Sequence, residues 1–241
     1  MDIVIPMAGK GSRFVDGGYA NPKPFIDVMG KTMIENVLTN LKVESARFIL
    51  IARKEHIEDY PEVIKEIQDK YNVVFLPIDI TTEGAACTVL FAREFIDSNN
   101  PLIIANSDQI VDIDVQNFVS DCLGRNLDGS ILTFKDPYKS NKWSFAKTDK
   151  SGLVTEVKEK EAISDIATVG IYMFKKGKYF VDNALDMIVR NDRVNNEFYV
   201  CPVYNYAIRN NKKIGIYNIP FDTMHGIGTP EDLKKFINKI S

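Results

Sequence analysis

The sequence is short of the residues that build metal centres and disulfides, and each shortage closes off a class of function. Two histidines, His56 and His225, cannot form a histidine-rich metal site. Three cysteines, Cys87, Cys122 and Cys201, are an odd set without metal-like or disulfide-like spacing, which reads as core thiols in a reducing compartment. No apolar run approaches the roughly 18 residues that a membrane helix needs. No charged-then-apolar leader opens the chain, so the expected location is the cytoplasm. A net charge of −3 gives no electrostatic footing for nucleic acid or an anionic membrane. Internal repeats, low-complexity tracts and linkers are also missing, which leaves one domain over 1–241.

What is present is alternation. Residues 2–6, 47–52, 73–78 and 101–106 are continuous β-rich apolar runs, as expected of strands covered on both faces. Between them, 31–41, 61–71 and 83–96 have helical period. Strand–helix alternation predicts an α/β fold, with a mostly parallel, Rossmann-like mixed sheet flanked by helices. After about residue 110 the strand-like runs 129–134, 143–149, 152–160 and 168–174 arrive without long helices, predicting a smaller inserted antiparallel or mixed region. "DKSG" (149–152) reads as a tight turn. Helices are expected at 176–190 and 197–210, a strand at 213–218, and a last helix opened by Thr229-Pro230-Glu231.

The first strand runs into "MAGKGSRF", a glycine-rich turn of the kind that faces anions. A P-loop is excluded, because Gly11 follows Gly9-Lys10 and Val4 stands five positions before Gly9. The dinucleotide fingerprint puts Phe14 where its third glycine belongs. Gly17, Gly18, Pro22 and Pro24 argue that no helix starts there. What remains is a loop with Lys10, Ser12 and Arg13, joined by Lys23 between two prolines. Three cations and free backbone N–H groups after the first strand suit a triphosphate.

At these residues the chain resembles the sugar-phosphate nucleotidyltransferases. "MAGKGSRF…NPKPFIDVMGKTMIENVL" is similar to their G-x-G-[ST]-R and P-K-P signature. "EGAAC" (83–87), "NSDQ" (106–109), "VTEVKEK" (154–160), "TVGIYMF" (168–174), "NEFYV" (196–200) and "GIGTPEDL" (226–233) follow in the family's order. Within it, the chain looks most like small cytidylyltransferases of bacterial surface-polysaccharide pathways. The resemblance implies a nucleotide-binding core over 1–134, a mainly acceptor-binding region over 135–228 and a C-terminal helix over 229–241. It also implies Mg²⁺, a nucleoside triphosphate (CTP favoured) and a small phosphorylated acceptor, L-glutamine phosphate or a sugar 1-phosphate.

By that resemblance Arg13 holds the β- and γ-phosphates, Lys23 the α-phosphate, and Asp108 the metal. Met7, Ala8, Gly9, Gly11, Ser12, Gly84, Ala85 and Ser107 would line the nucleotide. Glu83 could accept from the cytosine N4 amine, although an acid in a first helical turn is favoured by the dipole alone. Glu159 and Lys160 match the family's acceptor-binding pair, Gly170 would let the backbone approach the acceptor, and Glu197 either lines that pocket or opens the next helix. Where relatives often carry a second metal aspartate this chain has Gly226, so Asp222 or His225 would have to substitute. Two rival functions are a metal-dependent glycosyltransferase, for which "DIDV" (112–115) offers a D-x-D, and a non-catalytic nucleotide-binding protein. The sequence leaves monomer and homo-oligomer open.

Overall fold

The computed structural model describes residues 1–240. The chain enters at β1 (Asp2–Pro6), which leads through the glycine loop into a single helical turn, α1 (Ser12–Asp16). This corrects the expectation that no helix starts there. Gly11 opens the turn at φ +62°, and buried Phe14 pins it, edge-on against Tyr19. A short ribbon, β2 (Asp27–Val28) and β3 (Lys31–Thr32), precedes α2 (Met33–Asn40). Then come β4 (Arg47–Arg53), α3 (Lys54–Asp59), α4 (Pro61–Lys70) and β5 (Val73–Ile78). The amphipathic run 83–96 divides into α5 (Ala85–Leu90) and α6 (Arg93–Ile96), ahead of β6 (Leu102–Ala105) and β7 (Gln109–Val111).

The later half comprises α7 (Val115–Gly124), β8 (Gly129–Lys135), β9 (Ser144–Thr148), β10 (Val154–Glu159) and β11 (Ile166–Phe174). It closes with α8 (Gly177–Val189), α9 (Val203–Arg209), β12 (Ile214–Ile219), β13 (Met224–Gly226) and α10 (Pro230–Ile240). The helix expected over 197–210 begins only at Val203, because the backbone before it is committed elsewhere. Phe198 N donates to Glu83 O at 2.7 Å, and Phe198 O accepts from Ala86 N at 2.9 Å. The turn at 149–152 forms as expected, with Asp149 Oδ1 accepting from Ser151 N and Leu153 N.

The main sheet runs β12-β8-β11-β6-β1-β4-β5, with β9 joined to the first half of β11 and β10 paired outside β9. β6, β1, β4 and β5 are mutually parallel, and β11 is antiparallel to both β6 and β8. Successive residues of each strand feed opposite faces. Ile3 and Ile5 join the core on one side, and Val4 joins the core on the other. From β1 the chain adds β4 and β5 on one side, then returns to place β6 on the other. That reversal opens a crevice beyond the carboxyl ends of β1 and β6, where open α/β sheets bind ligands.

α2 is anchored by a capping box. Glu35 N donates to Thr32 Oγ1, Thr32 N donates to Glu35 Oε2, and Lys70 reaches the other oxygen of the buried Glu35 at 3.0 Å. Thr32→Ala should cost about 1 kcal/mol and lower the melting temperature by roughly 2–4 °C for a chain of this size, as read by thermal denaturation.

Candidate active site

The glycine loop and the residues after β6 meet in the crevice. Lys23 sits on a one-turn 3₁₀ helix, Lys23–Phe25, held between Pro22 and Pro24. Its Nζ lies 2.5 Å from Asp108 Oδ2, with both side chains about three-quarters shielded from solvent. Two glycines make room for the pair. A Cβ on Gly11 would press on Lys23 Cβ at 3.1 Å, and one on Gly228 would stand 2.5 Å from Asp108 Oδ2. Ile227 N donates to Asp108 O at 2.9 Å, so the returning C-terminal segment closes over the aspartate.

Two cavities meet at this pair. The first, about 510 Å³, is lined by Met7, Ala8, Gly9, Gly11, Gly84, Ala85, Ser107, Lys23 and Asp108 among the expected residues, with Lys10 beside them. The second, about 400 Å³, shares Asp108 and Ala85 with it and adds Arg13, Glu159 and Gly170. The loop between β5 and α5 is shaped by Gly84, whose φ is +126° and whose Cβ would collide with the Phe198 backbone nitrogen and oxygen. No other residue type lets the Phe198 backbone pass there.

In the second cavity, β11 bulges between Thr168 and Tyr172. Gly170, at φ +93°, accepts at its carbonyl oxygen from Asn106 N at 3.0 Å, and any Cβ there would strike the Asn106 side-chain amide. Ser144 Oγ donates a short hydrogen bond to Glu159 Oε2. Burial raises the Glu159 pKa above its ordinary value against the Ser144 bond, the nearby Lys160 charge lowers it, and Glu197 adds to the rise. Gln109 is buried on the cavity wall, and its Oε1 has no hydrogen-bond partner. Tyr172 is buried, with its hydroxyl 3.1 Å from Thr168 Oγ1, and burial lifts its pKa well above normal.

Other expected residues are not brought to the places the sequence suggested. Ser12 faces solvent and lines neither cavity. The Glu83 carboxylate is exposed and paired with Arg193 at 2.9 Å, off the first cavity. Lys160 donates to Tyr199 OH at 2.6 Å, which raises its pKa. Glu197 lines the first cavity, where the sequence suggested the acceptor pocket. Asp222 is exposed on a 3₁₀ turn and lines neither cavity, while His225 pairs with Asp112 at 2.7 Å. Asp114 caps α7 by accepting from Gln116 N, so both aspartates of "DIDV" already have partners.

Among the described residues no cluster of three or more His, Cys, Asp or Glu is arranged to hold a metal by itself. A single carboxylate does suit Mg²⁺, which keeps several waters and shares its coordination with substrate phosphates. Asp108, facing both cavities, fits that role. Gly226 has open space where a side chain would be, and lines the second cavity. Thr82, Thr88, Asn106, Gln109, Trp143 and Tyr199 also line the cavities. Asn106, Gln109 and Tyr199 fall inside the motifs 106–109 and 196–200, whereas Thr82, Thr88 and Trp143 carry no local sequence signal.

The Nucleotidyl transferase family model matches residues 3–235. The chain belongs to this family. A nucleoside-diphosphate-sugar pyrophosphorylase from Vibrio cholerae RC9 is 26% identical, with a TM-score of 0.85 over 98% of this chain and 99% of that one. A UDP-glucose pyrophosphorylase solved with UDP-glucose shares the fold at 16% identity and a TM-score of 0.79, over 99% of this chain and 97% of that one. The bifunctional protein GlmU of Methanococcus aeolicus is 26% identical over 179 residues, 73% of this chain and 40% of its own length. That of Methanococcus maripaludis is 25% identical over 251 residues, 100% of this chain and 55% of its own. The chain thus spans about half the length of these curated relatives. No helix among the described residues of this family member is long and apolar enough to cross a membrane.

The raised pKa of Glu159 carries a stability consequence. A carboxyl whose folded pKa exceeds its unfolded value favours the fold fully below the unfolded pKa, and loses that contribution as pH rises through the folded one. Glu159→Gln removes the titration. Its melting temperature relative to wild type should therefore be higher at pH 8 than at pH 4; equal differences at the two pH values would refute the assignment.

Proposed function

We propose that this chain moves a nucleoside monophosphate from a nucleoside triphosphate to the phosphate of a small acceptor and releases pyrophosphate. The observation that carries the reading is the Lys23–Asp108 pair, standing where a nucleotide-sized cavity and a second cavity meet. An acceptor phosphate oxygen attacks the α-phosphorus. One P–O bond forms there, and the bond from the α-phosphorus to the bridging oxygen breaks. The acceptor is already a nucleophile, so the protein supplies alignment and positive charge. Lys23 leaves Asp108 for the α-phosphate, where a compact charge meets the transition state. Lys10 lines the first cavity and Arg13 the second; in this reading both turn their charge to the phosphates, and the Arg13 fork suits the departing pyrophosphate. Mg²⁺ bound by Asp108 and the substrate phosphates would add the remaining positive charge.

For the donor we favour CTP, and for the acceptor L-glutamine phosphate or a sugar 1-phosphate, in capsule or surface-polysaccharide biosynthesis. Motif resemblance supports the cytidylyl reading. The relative named as a nucleoside-diphosphate-sugar pyrophosphorylase supports a sugar phosphate. Glu159 and Gln109 offer hydrogen-bond acceptors to the acceptor's hydroxyl or amine groups, and Lys160, held by Tyr199 of the cavity wall, would have to swing in to meet its phosphate.

Pyrophosphate release, assayed with the four triphosphates against a panel of phosphorylated acceptors, tests the reaction; no release from any pair would overturn it. Lys23→Ala should lower kcat by about 100-fold and change KM much less. A near-normal kcat in that variant would sink the role given to Lys23.

A further inference from the structure

The lining of the first cavity decides which wall suits the base. Its cations, Lys10 and Lys23, come from the glycine loop and the 3₁₀ turn after it, whereas the stretch from the end of β5 into α5 supplies only uncharged lining, Ile78, Ile80, Thr81, Thr82, Gly84, Ala85 and Thr88. A wall without charge suits a nucleobase, and the cationic wall suits phosphates. On the uncharged wall Thr82 Oγ1 lies 2.6 Å from Thr88 Oγ1. Both hydroxyls also lie 3.2 Å from one carbonyl oxygen, that of Gly84. Thr88 is buried, Thr82 is half-buried, and both line the cavity.

Two hydroxyls own two protons. One must lie between the oxygens, since facing lone pairs at 2.6 Å repel. The other goes to the Gly84 carbonyl. Either arrangement leaves no proton for a ligand, while free lone pairs remain on the threonine oxygens. We infer that the Thr82–Thr88 pair presents an accepting edge to the nucleobase and selects cytosine, which offers an exocyclic amine, over uracil or thymine, which offer a keto oxygen. The inference rests on the nucleotidyl-transfer reading and deepens it. An amine donates into a free lone pair with the network intact. A keto oxygen binds only after a hydroxyl proton has been drawn off the Gly84 carbonyl, at the loss of one hydrogen bond. That loss is worth about five- to tenfold in affinity. Glu83, which the sequence offers for the amine, is held by Arg193 instead.

The test is calorimetric binding of CTP and UTP, each with Mg²⁺, to the full chain as wild type, Thr82→Val and Thr82→Ser, with circular dichroism to establish folding. Wild type should bind CTP about five- to tenfold more tightly than UTP. Thr82→Val, which keeps the shape and removes the hydroxyl, should bring the ratio towards one, and Thr82→Ser should restore it. Equal affinities in the wild type, or an unchanged ratio in folded Thr82→Val, overturn the role of the threonines and leave nucleotidyl transfer standing. If neither triphosphate binds, the transfer reading falls and this inference falls with it.

Discussion

The site depends on a 2.5 Å contact between Lys23 Nζ and Asp108 Oδ2, two side chains 85 positions apart in the chain. They can meet because β1 and β6 are parallel neighbours whose loops leave the sheet on the same edge. Parallel pairing demands crossovers, and the crossovers through β4 and β5 put the reversal of strand order beside β1. The contact also explains two small residues. Gly11 passes against Lys23, and Gly228 passes against Asp108, with no space for a Cβ that leaves the pair undisturbed. An ion pair this shielded is stronger than one in open solvent, yet each partner still faces a cavity from which a phosphate or cation can take it over.

The second cavity shows a different economy. A bulge at Gly170 turns the β11 backbone so that its carbonyl ties down Asn106, beside the aspartate loop. Around the bulge stand groups held in states that cost stability, a carboxyl raised by burial at Glu159 and an unpartnered amide oxygen on Gln109. Buried polar atoms without partners are rare in folded proteins, because desolvation goes uncompensated. A hydrogen-bond donor on a bound acceptor would satisfy both.

Much of the fold was legible along the chain. β1, β4, β5 and β6 are apolar on both faces, a pattern that only a doubly covered sheet produces, and all four form where the sequence places them. Boundaries failed where backbone was captured by something distant. Residues 197–202 have a helical pattern but Phe198 is used as a strap across the loop before α5, and the turn at Ser12–Asp16 forms because Phe14 is buried. Of the site, Lys23, Asp108 and the glycine loop were visible as motifs. The pairing of Glu83 was hidden because its partner, Arg193, lies 110 positions away, beyond any local pattern.

By itself, then, the sequence determined the layered α/β architecture and the glycine-rich, cation-bearing loop after β1, since both follow from short-range periodicity and from where glycine and cations fall. Tertiary structure alone decided which charges are free and which are spent. Asp108 became common to two cavities, Asp112 and Glu83 were claimed by His225 and Arg193, and two threonines six residues apart were brought to share one carbonyl. Hydrogen bonds and ion pairs act only over a few ångströms, so their partners are chosen by the folded path of the chain and not by distance along it.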